Sequence, residues 1–148
     1  MEYHCKYFEV LASKLADYTE KCTVSFMDLY RNTERNVKTL NIVKDTYEMQ
    51  VELLQRFVEI AKEHGLYIDT CAEIGDFHNI GVEHAHCIDR ERIERIGEFK
   101  LSVDKDTNQR AECGCVASID IGAYNTCKNG CLYCYANYSS NTVEKNFV

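Results

Sequence analysis

Three cysteines near the end of the chain, Cys127, Cys131 and Cys134, limit its local conformation more than any other feature. In a helix, spacings of four and three would place all three sulfurs on one face. The pair Asn129-Gly130 lies inside the motif, however, and favours a turn with positive φ. We therefore predict a loop that wraps a metal and directs backbone N–H groups toward its thiolates.

Cysteine usage is high along the whole chain. Nine of the 148 residues are cysteines, and five of these lie between positions 113 and 134. The start, MEYHCKYFEV, has no basic segment followed by an apolar one, so a secretory signal is not expected. Cytosolic thiols at this density are more often metal ligands or catalytic groups than disulfides. We expect a cytoplasmic protein with its cysteine site toward the C-terminal end, and we expect Cys5 and Cys22 to behave as small apolar residues.

Composition and charge argue against several classes of function. The longest apolar run falls well short of the roughly 18 residues that a membrane helix needs. The net charge is −7, and the lysines and arginines are scattered along the sequence. This distribution argues against a nucleic-acid surface and against binding to an anionic membrane, both of which need a basic face. The length fits a single domain.

Alternating helical and strand patterns predict an α/β fold for the first two thirds of the chain. Apolar residues recur at spacings of three and four in the helical segments, and β-forming residues dominate the strands. The predicted order is a helix over about 5–19, a strand over 22–29, a loop over 30–40, a helix over 45–64 ended by Gly65, and a strand over 66–73. This order indicates parallel strands joined by helical crossovers.

The amino-acid composition of the chain changes near residue 98. Before it, a short strand over 84–88 is followed by a helix that Asp89 caps and Gly97 ends. After it, the sequence is polar and then rich in Gly, Asn, Cys and Tyr, with little helical period. We therefore divide the chain into a partial (βα) barrel-like region over 1–97 and an irregular Cys-rich segment over 98–148.

The cysteine motif is compatible with more than one metal. Three thiolates satisfy three irons of a [4Fe–4S] cube and leave the fourth iron to an outside ligand. Cys113 and Cys115 form a C-x-C pair whose sulfurs point to the same side of an extended segment. They would close the cluster, hold a second metal or remain free thiols. A zinc site usually has two C-x2-C-like pairs, which this spacing fits awkwardly.

Three residues lie at or near the C-terminal ends of predicted parallel strands, where (βα) barrels carry their active sites. These are Asp28, Cys71 and Glu73. Strand alternation places Cys71 and Glu73 on one face, so both are candidate catalytic residues. The Glu73 carboxylate would orient substrate or act as an acid or base. The alternative is a strand-end residue that bonds a neighbouring loop.

A second group of metal-ligand types lies at residues 83–89. His84 and His86 alternate onto one face of the predicted strand, next to Cys87. With Glu83 or Asp89 they would bind a separate metal. The alternative is a pair of polar strand residues beside a core cysteine.

The motif Cys127-x3-Cys131-x2-Cys134, with Tyr133 before the third cysteine, resembles the cluster motif of radical S-adenosylmethionine enzymes. In that superfamily the motif usually lies near the N-terminus, whereas here it lies near the C-terminus. This placement is similar to an uncharacterised bacterial family with a radical-SAM-like cysteine cluster at its C-terminal end. The resemblance covers most of the chain, which looks like the C-terminal half of such proteins. It rests on CAE at 71–73, HCID at 86–89, CGC at 113–115 and SIDIGAYNTCKNGCLYCYAN at 118–137.

The resemblance implies a chemistry for the motif. Each of the three cysteines would hold one iron, and the open iron would chelate S-adenosylmethionine. One-electron reduction by a donor would release a 5′-deoxyadenosyl radical, which abstracts hydrogen from a small-molecule or macromolecular substrate. The cofactor performs this chemistry and the protein positions it. Tyr133, Tyr135 and Tyr124 would pack around the cluster or the adenine.

The resemblance also implies that the first half of a (βα) barrel is absent, so the chain would be a truncated gene product, a fragment or one part of a split protein. Groups that bind S-adenosylmethionine usually follow the cysteines in radical-SAM barrels, and here they would have to come from upstream or from that missing part. Two alternatives stay open for the function. One is an electron-transfer or structural cluster closed by Cys113 or Cys115, and the other is a zinc-binding structural domain.

Overall fold

The structure, a computed structural model, describes residues 1–146, without the side chains of Arg31, Asn32 and Arg35. It contains two compact units. The first unit comprises Met1–Phe26 and Asp45–Ser118, and the second comprises Met27–Lys44 and the residues from Ile119 on. Residues 98–118 thus belong to the same unit as residues 45–97. The domain division at residue 97 stays a prediction.

Helices and three short strands follow one another along the described chain. In order they are α1 (Glu2–Leu15), β1 (Lys21–Val24), α2 (Arg31–Val37), α3 (Tyr47–Glu63), β2 (Tyr67–Thr70), a short 3₁₀ helix (His78–Ile80), β3 (Glu83–His84), α4 (Arg90–Gly97) and α5 (Ser140–Asn146). None of the helices within residues 1–146 combines the length and apolar character that crossing a membrane requires.

The three strands form one parallel sheet in the order β1-β2-β3. Val24 pairs with Thr70, and Thr70 pairs with His84 in the next strand. The mixed α/β architecture with parallel neighbours is confirmed. All three strands are shorter than predicted, since β1 ends at Val24, β2 ends at Thr70 and β3 contains two residues.

A few residues explain where α3 begins and ends. The Thr46 hydroxyl accepts the N–H of Met49 at 3.4 Å and satisfies one donor of the first turn. At the other end, the N–H of Leu66 reaches the carbonyl of Ala61 at 2.8 Å. Gly65 makes this possible with a φ of +69°, a left-handed conformation that favours glycine. The predicted end of this helix is therefore confirmed.

The core of the first unit lies between α3, α1 and the sheet. Leu54 and Phe57 of α3 are buried together with Ile68 of β2. The ring of Phe8 in α1 stacks on Phe57 with centroids 4.2 Å apart. Five further buried residues complete the cluster, namely Ala12, Ala61, Leu66, Phe77 and Val82. Cys5 and Cys22 pack against it, which agrees with their expected apolar role.

Two helices of the second unit lie where the sequence predicted irregular structure. The predicted loop over 30–40 is wrong for α2, where Thr33 and Val37 are buried one turn apart. The Thr33 hydroxyl accepts the N–H of Tyr30 at 3.2 Å at the start of this helix. In α5 only Val143 is buried. Helices of two turns with one or two buried positions are too short to show an apolar stripe.

Candidate metal centres

The C-terminal cysteine loop, residues 126–137 of the second unit, carries the three cysteines of the predicted cluster motif. All three thiols are free; Cys127 and Cys131 are exposed, and Cys134 is half-buried. Gly130 has a φ of +66° in the middle of the motif. The three cysteines of the motif thus lie as reduced thiols on one non-helical segment that is accessible to solvent.

Asn125 joins the two ends of this loop. Its side chain is buried, and Oδ1 accepts the N–H groups of Tyr138 at 3.0 Å and Ser139 at 3.2 Å. Its own N–H donates to Ala136 at 2.9 Å, and its carbonyl accepts Nδ2 of Asn146 at 3.2 Å. Asn125 was not among the predicted site residues. Its only distinguishing property in the sequence is that asparagine tolerates a positive φ, here +55°, better than most residues.

A cavity of about 330 Å³ lies against the cysteine loop. Cys127, Gly130 and Cys131 form part of its wall, together with Val143 of α5. The side chain of Asn137 donates to the carbonyl of Cys127 at 2.5 Å and ties the loop across this cavity. The volume falls within the range of about 300–1,000 Å³ that small-molecule sites occupy.

The tyrosines of the second unit surround a neighbouring cavity. This cavity has a volume of about 450 Å³, and its walls are mostly apolar. Tyr138 lines both this cavity and the one at the cysteine loop, so the two spaces adjoin. The tyrosine cavity is lined by Tyr30, Tyr124, Tyr135 and Tyr138.

Tyr133 takes a different position from the other tyrosines of the motif. Its hydroxyl donates to the main-chain carbonyl of Asp28, and its ring lies 6.5 Å from that of Tyr30. Asp28 does not end a strand, because β1 stops at Val24, so its predicted place at the rim of the sheet is wrong. The cofactor roles of Tyr133 and Tyr135 stay predictions.

The first unit contains a second group of thiols, the four-cysteine cluster of Cys71, Cys87, Cys113 and Cys115. The thiol of Cys87 donates to the sulfur of Cys71, with the two Sγ atoms 3.4 Å apart. Cys113 and Cys115 are buried against Ala72, and Cys71 packs against the same cluster. The sequence analysis did not predict this group, because its members come from three segments that are distant along the chain.

Main-chain contacts hold the C-x-C pair against the segment after β3. The N–H of Ile88 donates to the sulfur of Cys115 at 3.2 Å, and its carbonyl accepts the N–H of Val116 at 3.1 Å. A Cβ at Gly114 would lie only 2.1 Å from Cδ2 of His86. Glycine between the two cysteines is therefore what permits the close approach.

The thiols of the four-cysteine cluster oppose each other's ionisation. Burial raises the pKa of Cys87 to about 12, and the hydrogen bond and charge of Cys71 and the charge of Cys115 act in the same direction. Burial also raises the pKa of Cys113. Neighbouring thiolates destabilise one another in a partly buried site unless a cation neutralises them.

Neither cysteine group is pre-arranged around an ion. Within residues 1–146, no group of three or more His, Cys, Asp or Glu side chains is arranged to hold a metal ion. Binding a metal at either group therefore requires its side chains to turn. His84 and His86 line one cavity together with Glu83 and Asp89. Within the described residues these side chains are likewise not arranged as the ligand group predicted for them.

Glu73 has clear structural contacts. Its side chain is buried, and Oε1 accepts the N–H of Phe26 at 2.8 Å and the hydroxyl of Ser25 at 3.2 Å. These contacts match the alternative in which a strand-end carboxylate bonds a neighbouring segment. The catalytic roles of Glu73 and Cys71 stay predictions.

Glu73→Ala is expected to lower the free energy of unfolding by about 1–3 kcal/mol, because the N–H of Phe26 loses its acceptor in a partly buried site. Glu73→Gln keeps an acceptor oxygen and should cost less. Urea denaturation measures both, and Glu59→Ala on the exposed face of α3 is the control. Equal stabilities of Glu73→Ala and Glu59→Ala would show that these contacts contribute nothing.

Comparison with known proteins gives a family but no individual relative. No curated protein and no solved structure shows significant similarity to this chain. A family described as a domain of unknown function, DUF1848, matches residues 1–136. This match covers most of the 148 residues and agrees with the expected resemblance to an uncharacterised family. The chain therefore belongs to the DUF1848 family.

Proposed function

We propose that the protein binds a [4Fe–4S] cluster through Cys127, Cys131 and Cys134. The observation that carries the proposal is the presence of three free thiols at spacings of four and three on one loop. Thiolates are the usual ligands of iron–sulfur clusters, so the chemistry of the donor set fits. The buried Asn125 holds both ends of the loop, which supports a defined site.

The loop must close on the cluster, since its sulfurs are not yet arranged as ligands. Cys127 and Cys131 are exposed, so turning them inward disrupts no buried packing of their side chains. The main-chain bonds at Asn125 lie outside the motif and persist during this movement. The cost is therefore mainly that of ordering a short segment, of whose three cysteines only Cys134 is half-buried.

We infer further that the activity is of the radical-SAM type, with one iron left without a protein ligand. What supports this is that Cys113 and Cys115 already pack with other cysteines in the four-cysteine cluster, rather than serving as spare ligands. When bound, the cluster supplies the electron for reductive cleavage of S-adenosylmethionine. An external electron donor and an organic substrate are then required.

The chain's own contribution is to bind and orient the nucleoside. The tyrosine cavity offers aromatic faces and mostly apolar walls, which suit a planar adenine ring. Because Tyr138 also lines the cavity at the cysteine loop, an adenine held there lies next to the cluster. Tyr133, bonded to the main chain at Asp28, orders the residues beside Cys134.

Anaerobic reconstitution with iron and sulfide, followed by reduction and electron paramagnetic resonance, tests the proposal. We expect a reduced [4Fe–4S] signal whose shape changes on adding S-adenosylmethionine. Tyr135→Ala should keep the cluster signal and weaken the response to S-adenosylmethionine. The matched control is Tyr18→Ala, which removes an exposed tyrosine from the first unit.

The outcomes separate the two parts of the proposal. If the cluster signal does not change on adding S-adenosylmethionine, the proposed radical-SAM activity is wrong and the cluster serves electron transfer or structure. A protein that takes up no iron would overturn both parts. Loss of the response in Tyr18→Ala as well would show that the effect does not come from the tyrosine cavity.

We also propose a cytoplasmic location and a barrel-like assembly. All nine cysteines are free, which suits a reducing compartment. The edge strands β1 and β3 each have one side without a strand partner among the described residues. Exposed edges of this kind favour pairing with further strands, as completion of a (βα) barrel would provide.

A further inference from the structure

The four-cysteine cluster is built by three segments that main-chain bonds tie together. Cys71 directly follows β2, and Cys87 lies shortly after β3. The C-x-C segment returns antiparallel to Lys105, through a bridge at Val116. Arg110 on this segment donates to the carbonyl of Ala72 at 3.3 Å. The fold thus brings four thiols to the edge of the sheet at which its strands end.

Two of the sulfurs lie close to each other, and the other two belong to the same packed cluster. The Sγ atoms of Cys71 and Cys87 are 3.4 Å apart. Cys113 and Cys115 are both buried beside Ala72, in the cluster against which Cys71 packs. Each of the four is a free thiol. A group of four reduced thiols in one partly buried place needs an explanation beyond apolar packing.

We propose that the four-cysteine cluster binds one Zn²⁺ ion through four thiolates. This site is separate from the three cysteines assigned to the iron–sulfur cluster. Two thiolates on a tetrahedral zinc lie about 3.8 Å apart when each Zn–S bond is about 2.3 Å. Sulfurs on neighbouring corners of a [4Fe–4S] cube lie roughly 6–7 Å apart. The observed distance between Cys71 and Cys87 is near the first value, so a single ion fits better.

Zinc binding would replace the hydrogen bond between two of these thiols. In the structure the thiol of Cys87 donates a hydrogen bond to the sulfur of Cys71. Zinc binds both cysteines as thiolates, which carry no proton. Binding replaces four S–H protons with one Zn²⁺, releases four protons to solvent and leaves two negative charges on the site. The N–H of Ile88, already directed at the sulfur of Cys115, stabilises this charge.

Cobalt titration tests the site in the presence and absence of the other cysteines. The wild type and the triple variant Cys127→Ser/Cys131→Ser/Cys134→Ser, the serine variant of the loop, are titrated with Co²⁺. The absorption of bound Co²⁺ reports tetrahedral thiolate ligands. We expect about one Co²⁺ per chain in both proteins, displaced by Zn²⁺. Cys87→Ser and Cys115→Ser should each weaken Co²⁺ binding by at least about tenfold.

Matched controls keep the test independent of folding. Cys5→Ser and Cys22→Ser change half-buried cysteines of the same unit outside the cluster and should bind Co²⁺ like the wild type. Circular dichroism establishes that each variant retains its helices. Because the serine variant of the loop is included, failure of the iron–sulfur proposal leaves this result unchanged.

Several results would overturn the zinc site. One is a folded wild type that binds no Co²⁺, and another is undiminished binding in Cys87→Ser and Cys115→Ser. A disulfide between Cys71 and Cys87 in reduced preparations would also overturn it, as would iron retained by the serine variant of the loop. Mass spectrometry and metal analysis of the same samples detect both.

Discussion

Cys131→Ser is expected to abolish cluster formation in the C-terminal cysteine loop, reducing bound iron from about four atoms per chain to near zero. Cys131 is the middle cysteine of the motif and is exposed, so the substitution should not disturb packing. Serine replaces a soft thiolate with a hydroxyl, which is a poor ligand for the cluster. Iron and acid-labile sulfide analysis after anaerobic reconstitution measures the loss.

The double variant Cys113→Ser/Cys115→Ser is the informative comparison. We expect it to retain the iron of the wild type, because these two cysteines pack in the four-cysteine cluster of the first unit. Loss of iron in this variant, with folding intact, would favour the closed cluster that the sequence also allowed. Cys5→Ser controls for removing a thiol from the chain.

Lys21→Met is expected to lower the free energy of unfolding by about 3–5 kcal/mol, because it leaves a buried carboxylate without its counter-ion. Lys21 Nζ lies 2.7 Å from Asp69 Oδ2, and the two side chains are 13% and 9% exposed. Asp69 Oδ1 has no hydrogen-bond partner within residues 1–146, so no second contact compensates. Chemical denaturation of both proteins gives the difference.

A second variant isolates the cost of the unpaired charge. Lys21→Met/Asp69→Leu removes both partners and should recover most of the lost stability. Burial alone would lower the pKa of Lys21, but the hydrogen bond and charge of Asp69 outweigh burial and raise it. The contribution is therefore fully present below the unfolded pKa of about 10.4, and it is lost as pH rises through the folded value. Lys21→Met within about 1 kcal/mol of the wild type would contradict a buried pair.

The parts of the fold that the sequence predicted are those that local patterns determine. In α3, buried Leu54 and Ala61 lie two turns apart on one face, and Gly65 ends the helix with a positive φ. The order of helices and strands also predicted the parallel sheet. The helix and its end depend on residues within a few positions of each other, and the parallel sheet was inferred from the order of such local elements.

The features that the sequence did not predict depend on contacts between distant segments. Cys71 and Cys87 meet Cys113 and Cys115 only after the loops beyond β2 and β3 are in place. Asn125 appears in the sequence as an ordinary polar loop residue, although its bonds to Tyr138 and beyond define the base of the cysteine loop. The hydrophobic periodicity of the sequence does not indicate such contacts, because they form only in the tertiary fold.

We propose that three cysteines hold an iron–sulfur cube and leave one iron accessible. Mössbauer spectra of protein reconstituted with enriched iron, recorded with and without S-adenosylmethionine, test this proposal. We expect one iron site of the cluster, and not the others, to change its isomer shift when S-adenosylmethionine is added. Four equivalent irons that do not respond, or a folded protein without iron, would contradict it.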